Sequence, residues 1–406
     1  METPEYTFKH WLTDLRRGFH RQPELSYQEE KTTQKVCQVL SELNIPVQTF
    51  GDMTGAVGLI QGKAVDAPYQ GTIALRADMD ALPLAEMTGL EFASEYPGQM
   101  HACGHDANTA IALGVARLVQ ESGLMDRING AVKFIFQPSE EKLGGALAMM
   151  EKGVLENPRV DRLIAGHMDP NFPVGQAGVF HRTGHAASDP FELVIHGRGS
   201  HGARPHKGRS PITAGAQFVT SLDTLILRHV PPVHSAVISV GAFHGGDAGN
   251  VIPEQVVIRG SVRTHDPGIR EMLFREMNRL AKGIETMFEV QCDLIFKSGA
   301  PMGLNDPDAS ASLFRASADV LGEDHVTVLP FIMGSDDFYF FGRECPVAMM
   351  RLGCADPDKK TAPPLHSPKF DIHEDVLETG AKVLFRAIAL FFDNQTQQPH
   401  KKKEKR

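Results

Sequence analysis

Two α/β domains, the second interrupting the first, are what the order of elements in this 406-residue chain predicts. Three observations carry that expectation. The length exceeds the size at which a single hydrophobic core usually stops growing. Short β-rich runs alternate with helical patterns towards both ends of the chain, as in a mostly parallel sheet flanked by helices. Between residues 187 and 297 the alternation gives way to strand, helix, two strands, helix and strand, the order of the ferredoxin-like α+β motif.

Phe8, Trp11, Leu12 and Leu15 recur at helical spacing and predict an opening helix over 7–18, stopped by Gly18. HRQPELSYQEE then turns the chain into a second helix near 28–43. AVGLI (56–60), TIALRA (72–77), AVKFIFQ (131–137) and RLIAGH (162–167) read as strands. ANTAIALGVARLVQES (107–122) and GGALAMMEKG (144–153) read as helices. In the insertion, FELVIHGRG, SAVISVGAFHGG, QVVIRGSVRTH and EVQCDLIFK are the strands, with PITAGAQFVTSLDTLILRHV and REMLFREMNRLAKGIETMF as the helices between them. PDASASLFRASADVLG, VAMMRLG and VLETGAKVLFRAIALFF then resume the first pattern. The expected boundaries are 1–186 and 298–395 for the first domain and 187–297 for the insertion. Residues 396–406 are expected to form a disordered basic tail.

Composition excludes several functions. A net charge of -9 leaves no basic footprint for nucleic acid. Five cysteines, odd in number and irregular in spacing, do not form a disulfide framework, and a reducing, cytoplasmic setting is expected. The sequence offers no run apolar enough for a signal peptide or a membrane span, so no membrane partner is expected.

The polar residues that remain fall at the ends of predicted strands. TIALRA runs into Asp78 and Asp80, AVKFIFQ into Pro138, Glu140 and Glu141, and RLIAGH ends on His167, while VAMMRLG leads by a loop to His366. In an open parallel sheet the strand ends face the ligand-binding edge, so residues distant in sequence converge there. QMHACGHD adds His101, Cys103 and His105 at every second position, on one side of the chain if it is extended. Cys103, His105, Glu141, His167 and His366 together are enough ligands for two divalent ions. Zinc or manganese suits the mixed sulfur, nitrogen and oxygen donors best, with nickel and cobalt as further candidates. An isolated Glu-Glu pair is usually a solvated face. Next to a metal set the two can divide the labour, Glu141 on the ion and Glu140 as the second carboxylate, which takes a proton from water. Asp106 suits a helix cap.

In these motifs the chain resembles the amidohydrolase branch of the dinuclear-metal aminoacylase and carboxypeptidase family, which includes hippurate hydrolases and indole-3-acetyl-amino acid hydrolases. RRGFHRQPELSYQE, LRADMDALP, HACGHD, FQPSEE, GHMDP, SHGARPH, NVIPE with VRT, MGSDDF and LHSPKF occur in the family's order. The resemblance implies a metallopeptidase-like catalytic domain, an inserted lid through which members dimerise, and cleavage of the amide of a small N-acyl amino acid. It implies Cys103, His105, Glu141, His167 and His366 as ligands of two ions with the cysteine between them, and Glu140 as catalytic base. Asp80 corresponds to an aspartate that orients the site, and Asp78 stands where distant relatives place a metal-binding histidine. His201 matches a lid histidine that polarises the scissile carbonyl, and Asn250 and Arg263 match groups near the substrate. The chain departs from the pattern at Ala165-Gly166-His167, where GLH is usual, and at Asp336, where Glu is usual. The alternatives are a carboxypeptidase or dipeptidase on the same fold, a cysteine hydrolase with Cys103 as nucleophile, and a non-catalytic binding protein.

Overall fold

The computed structural model describes residues 4–297, 299–359 and 362–397, and the expected basic tail lies outside them apart from its first two residues. The chain divides into two compact units. Among the described residues the first takes in those of 4–184, 304–330 and 337–397, and the second those of 185–303 and 331–336.

Walking the first unit, α1 (Pro4–Arg21) and α2 (Glu30–Glu42) precede β1 (Val47–Thr49), β2 (Ala56–Gln61) and β3 (Thr72–Asp78). Then come α3 (His105–Glu121), β4 (Ala131–Gln137), α4 (Gly145–Glu151), β5 (Arg162–Pro173) and β6 (Ala177–Phe180). The insertion contributes β7 (Ala187–His196), α5 (Pro211–His229), β8 (Ala236–His244), β9 (Gln255–Thr264), α6 (Pro267–Phe288) and β10 (Gln291–Phe296). The first unit resumes with α7 (Pro307–Leu321), β11 (Val326–Leu329), β12 (Val347–Ala355) and α8 (Asp375–Gln397).

Its eight-stranded sheet has the order β1-β2-β4-β3-β5-β12-β6-β11. The central strands β4, β3, β5 and β12 are parallel neighbours, while β1, β2 and β6 bring antiparallel pairs, so the sheet is mixed. Alternate side chains leave opposite faces of each strand. Ile73, Leu75, Val132, Phe134, Phe136 and Met350 pack against α1, α3, α7 and α8. Ala74, Ile135, Leu163 and Met349 pack against α4 and the turn at 337–343 on the other face. Each fully buried Phe or Leu contributes roughly 1.5–3 kcal/mol. Helix α1 runs on through Gly18 to Arg21, because Phe19 and His20 continue its buried face.

The second unit's sheet, β8-β9-β7-β10, is antiparallel throughout. Phe191, Leu193, Ile195, Ile258 and Val262 meet Phe218, Leu222, Leu273 and Met277 of its two helices. Helices α5, α6 and α7 each begin with proline after a residue whose side chain accepts a bond from the third amide on, Ser210, Asp266 and Asp306. Residues 331–336, expected with the first domain, belong to this unit. Ala186 N–H donates to the Ile332 and Gly334 carbonyls, and Arg263 and His265 donate to those of Met333 and Ile332. Among the described residues no helix is long and apolar enough to cross a membrane.

Candidate active site

β5 does not end at His167. It continues to Pro173, and its pairing with β12 runs unbroken from Leu163 to Asp169. Pairing with β3 stops at Ala165, so His167 lies beyond that neighbour's last rung. Gly166 leaves this ladder regular; a Cβ there would come 3.2 Å from both Leu352 and Leu384, so packing favours the small residue.

The HACGH stretch is not an extended strand. Gly104 takes φ +82° and starts α3, with His105 as the helix's first residue. A Cβ at Gly104 would lie 2.6 Å from Met168 Cγ, so only glycine makes the turn. The turn separates residues that strand alternation would have grouped. Cys103 and His105 face His167, whereas His101 turns towards His20, its ring centroid 6.5 Å away. Among the described residues neither His101 ring nitrogen has a hydrogen-bond partner, and burial pushes its pKa down to about 4. Asp106 caps nothing: it accepts from Arg16 Nε at 2.9 Å and pairs with His20 Nδ1 at 2.7 Å.

Cys103, His105 and His167 each offer a donor atom within 4.8 Å of the other two. The same holds for Cys103, Glu141 and His366, and for His105, Glu140 and Glu141. Cys103 thus belongs to two trios. His105 Nδ1 donates to the Asp80 carbonyl at 2.9 Å, which fixes the tautomer, and its buried Nε2 has no hydrogen-bond partner. His167 Nδ1 donates to the Met168 carbonyl at 2.8 Å, leaving Nε2 3.7 Å from the Cys103 sulfur. A free, oriented imidazole nitrogen is what a metal-binding histidine presents, so the donor set fits divalent cations. His366 sits at φ +64° with its N–H donating to the Ala102 carbonyl at 2.8 Å, and its Nε2 is 3.3 Å from Glu141 Oε1.

The electrostatics differ from one donor to the next. Burial pushes the Cys103 thiol up to about 12, so without a cation it is a neutral thiol and a poor nucleophile. Burial, then the charge of Arg351, pushes His167 down to about 3, which keeps its lone pair free. Burial would lower His105, but Asp78 beside it, with Asp80, holds it well above its ordinary value, so a cation at its Nε2 competes with a proton. Asp78 is in turn held low against its own burial by His105 and Arg76.

Asp80 organises the neighbouring carboxylates. Its Oδ1 accepts from Glu140 N and its Oδ2 from Glu141 N, both at 3.0 Å, and Oδ2 also accepts from Ser26 Oγ at 2.6 Å. Sequence reading missed the polar frame behind these groups. Asn108 and Arg76 hold Asp78, and Asp337 accepts from Arg76, Gln137 Nε2 and Ala146 N. The available signal was Arg76, a charge inside an otherwise apolar strand.

In the second unit, His201 and Asn250 come together where Ser200–His201 pairs with Val251–Ile252; both are exposed. Gly202 N–H donates to the Asn250 carbonyl at 2.7 Å, and Ala203 N–H to His201 Nδ1 at 3.0 Å. Arg263 lies on β9 with its guanidinium on the Met333 carbonyl at 2.7 Å, and Asp336 is buried.

Residues 74–390 match the sequence profile of peptidase family M20/M25/M40. A thermostable carboxypeptidase 2 of Saccharolobus solfataricus is 34% identical over 389 residues, covering 95% of this chain and 96% of that protein. The N-acetyl-L-cysteine deacetylase of Bacillus subtilis is 35% identical over 390 residues, covering 96% and 90%. The crystal structure of a dinuclear metal-binding M20 peptidase from Bacillus subtilis superposes with a TM-score of 0.80 at 31% identity, covering 96% of this chain and 99% of that one. The chain belongs to peptidase family M20/M25/M40, as a metal-dependent hydrolase of carbon–nitrogen amide bonds.

Proposed function

We propose that the protein hydrolyses the amide of small N-acyl amino acids, with Glu140 as general base. The observation that carries this reading is Cys103 shared between two donor trios beside a glutamate pair whose backbone Asp80 holds. Cys103, His105, Glu141, His167 and His366 would hold two divalent ions, zinc or manganese. Bound there, the ions would polarise the scissile carbonyl and acidify water.

Glu140 takes the proton of the attacking water and returns it to the departing amine. His201 donates to the carbonyl oxygen as charge builds on it. Asn250 and Arg263 orient the substrate, and Asp80 keeps Glu140 and Glu141 aimed. The neutral Cys103 thiol argues against a cysteine nucleophile. Likeness to a deacetylase over nearly the whole chain supports an acyl amino acid. Likeness to a carboxypeptidase supports small peptides as the second reading. We further propose that the insertion is a lid and dimerisation domain, since β8 is an edge strand with Val237 and Phe243 exposed.

The test is a panel of acetyl, benzoyl and indolyl amino acids alongside dipeptides, with the enzyme metal-loaded, chelated and reloaded. Release of amino acid from the acyl conjugates, abolished by chelation and restored by reloading, is expected. Turnover of dipeptides alone, or full activity in protein free of metal by elemental analysis, would overturn the reading.

A further inference from the structure

Glu29 occupies the N-cap of α2, yet its side chain makes no cap bond. It is fully buried and reaches a segment 110 residues away. Oε1 accepts from Ser139 N at 2.8 Å and from Tyr27 N at 3.1 Å, and Oε2 accepts from Thr54 Oγ1 at 2.7 Å. Ser139 and Tyr27 are both in the left-handed region, at φ +55° and +69°, where neither residue type gains anything from the conformation. Strained backbone of this kind persists only where its surroundings over-determine it. One carboxylate oxygen therefore pins two left-handed residues in separate loops. Ser139 immediately precedes Glu140, so three consecutive amides, 139, 140 and 141, are each held by a buried carboxylate: Glu29, then Asp80 twice.

We propose that Glu29 is a positioning residue for the Glu140–Glu141 turn, locking Ser139 in its left-handed conformation so that the Glu140 carboxylate is presented to the attacking water. The proposal rests on Glu140 being the base. What Glu29 supplies is an acceptor at full glutamate reach, not a charge. Glu29→Gln keeps the acceptor oxygen on Ser139 and turns its amide to Thr54, whose hydroxyl can accept. Glu29→Asp keeps the charge and falls short by one methylene.

Two measurements on the metal-loaded enzyme test this. The first is hydrogen exchange of the 137–145 segment followed by mass spectrometry, which needs no substrate. Glu29→Asp is expected to lose protection by about tenfold or more, and Glu29→Gln to keep it. The second is kcat and KM on N-acetyl amino acids, where Glu29→Asp should lose roughly 10–100-fold in kcat with KM and metal content little changed, and Glu29→Gln should stay within about threefold of the parent. In the Glu29→Asp/Glu140→Gln double variant the loss should equal that of Glu140→Gln alone, since Glu29 acts through Glu140. Unchanged protection in Glu29→Asp, or equal loss in the Gln and Asp variants, overturns the proposal. Full additivity in the double variant overturns it too. Wild-type turnover in a metal-replete Glu140→Gln enzyme would instead sink the assignment of the base, with the exchange result still standing by itself.

Discussion

Substituting Asp80→Asn perturbs the carboxylate that holds the Glu140 and Glu141 amides while keeping side-chain size. The asparagine oxygen can satisfy one of the Glu140 and Glu141 amides, now bound to charged oxygens at 3.0 Å; its NH2 group then faces the other. Ser26 can rotate to accept, so the net change is one buried N–H left unpaired and two charge-assisted bonds made neutral. A bond to a charged group is worth about 1.5–3 kcal/mol and an unpaired buried amide costs about 1–3 kcal/mol, which puts the loss at roughly 2–5 kcal/mol. Part of it appears as looser aim of Glu140 and Glu141, and a weakening of metal affinity by about 10–100-fold is expected. The assay is urea unfolding of the metal-free protein, with metal affinity measured by competition against a chromophoric chelator. A variant within about 0.5 kcal/mol of the parent that binds metal equally tightly would refute the view that Asp80 holds the pair.

Glu86 gives a pH test away from the metal residues. Burial would raise its pKa, but His20, Thr88 and the Ser94 amide outweigh that and hold it down to about 2, against an ordinary value of 4.5. A depressed carboxylate stabilises the fold fully above pH 4.5 and loses that contribution as pH falls towards 2. Glu86→Gln should therefore cost up to about 3 kcal/mol at pH 7 and progressively less below pH 4.5 in denaturant titrations; a cost independent of pH would contradict the assignment. For the proposed dimer, sedimentation should give a two-chain mass. If His201 serves the partner's site, a tagged heterodimer of Glu140→Gln and His201→Ala should recover about half the activity, since one site has both groups intact. An inactive heterodimer with full metal content would rule that arrangement out.

Much of the architecture was legible because periodicity wrote it directly. The apolar runs of β3, β4 and β12 mark strands buried on both faces. Apolar periodicity alone started α6 at Arg270, whereas the Asp266 cap and Pro267 start it three residues earlier. The convergence of Cys103, His105, Glu141, His167 and His366 was expected from strand ends, although β5 runs past His167 and the turn at Gly104, not a strand, places Cys103 and His105. Three features were hidden by their dependence on distant contacts. The turn at Gly104 is set by Met168, so strand alternation wrongly grouped His101 with Cys103. The allegiance of residues 331–336 rests on bonds to Ala186, Arg263 and His265. Glu29 read as part of a helix start, and only the fold brings it to Ser139.

In the proposed reaction Glu140 moves the proton while Glu141 and the Cys103 set hold metal. Glu140→Gln, analysed for metal by elemental analysis and for turnover on an N-acetyl amino acid in the same preparation, tests it most directly. Parental metal content with kcat reduced by about 10²–10⁴-fold is expected. Metal lost together with activity would make Glu140 a ligand, and turnover near the parental rate at full metal content would contradict the claim outright.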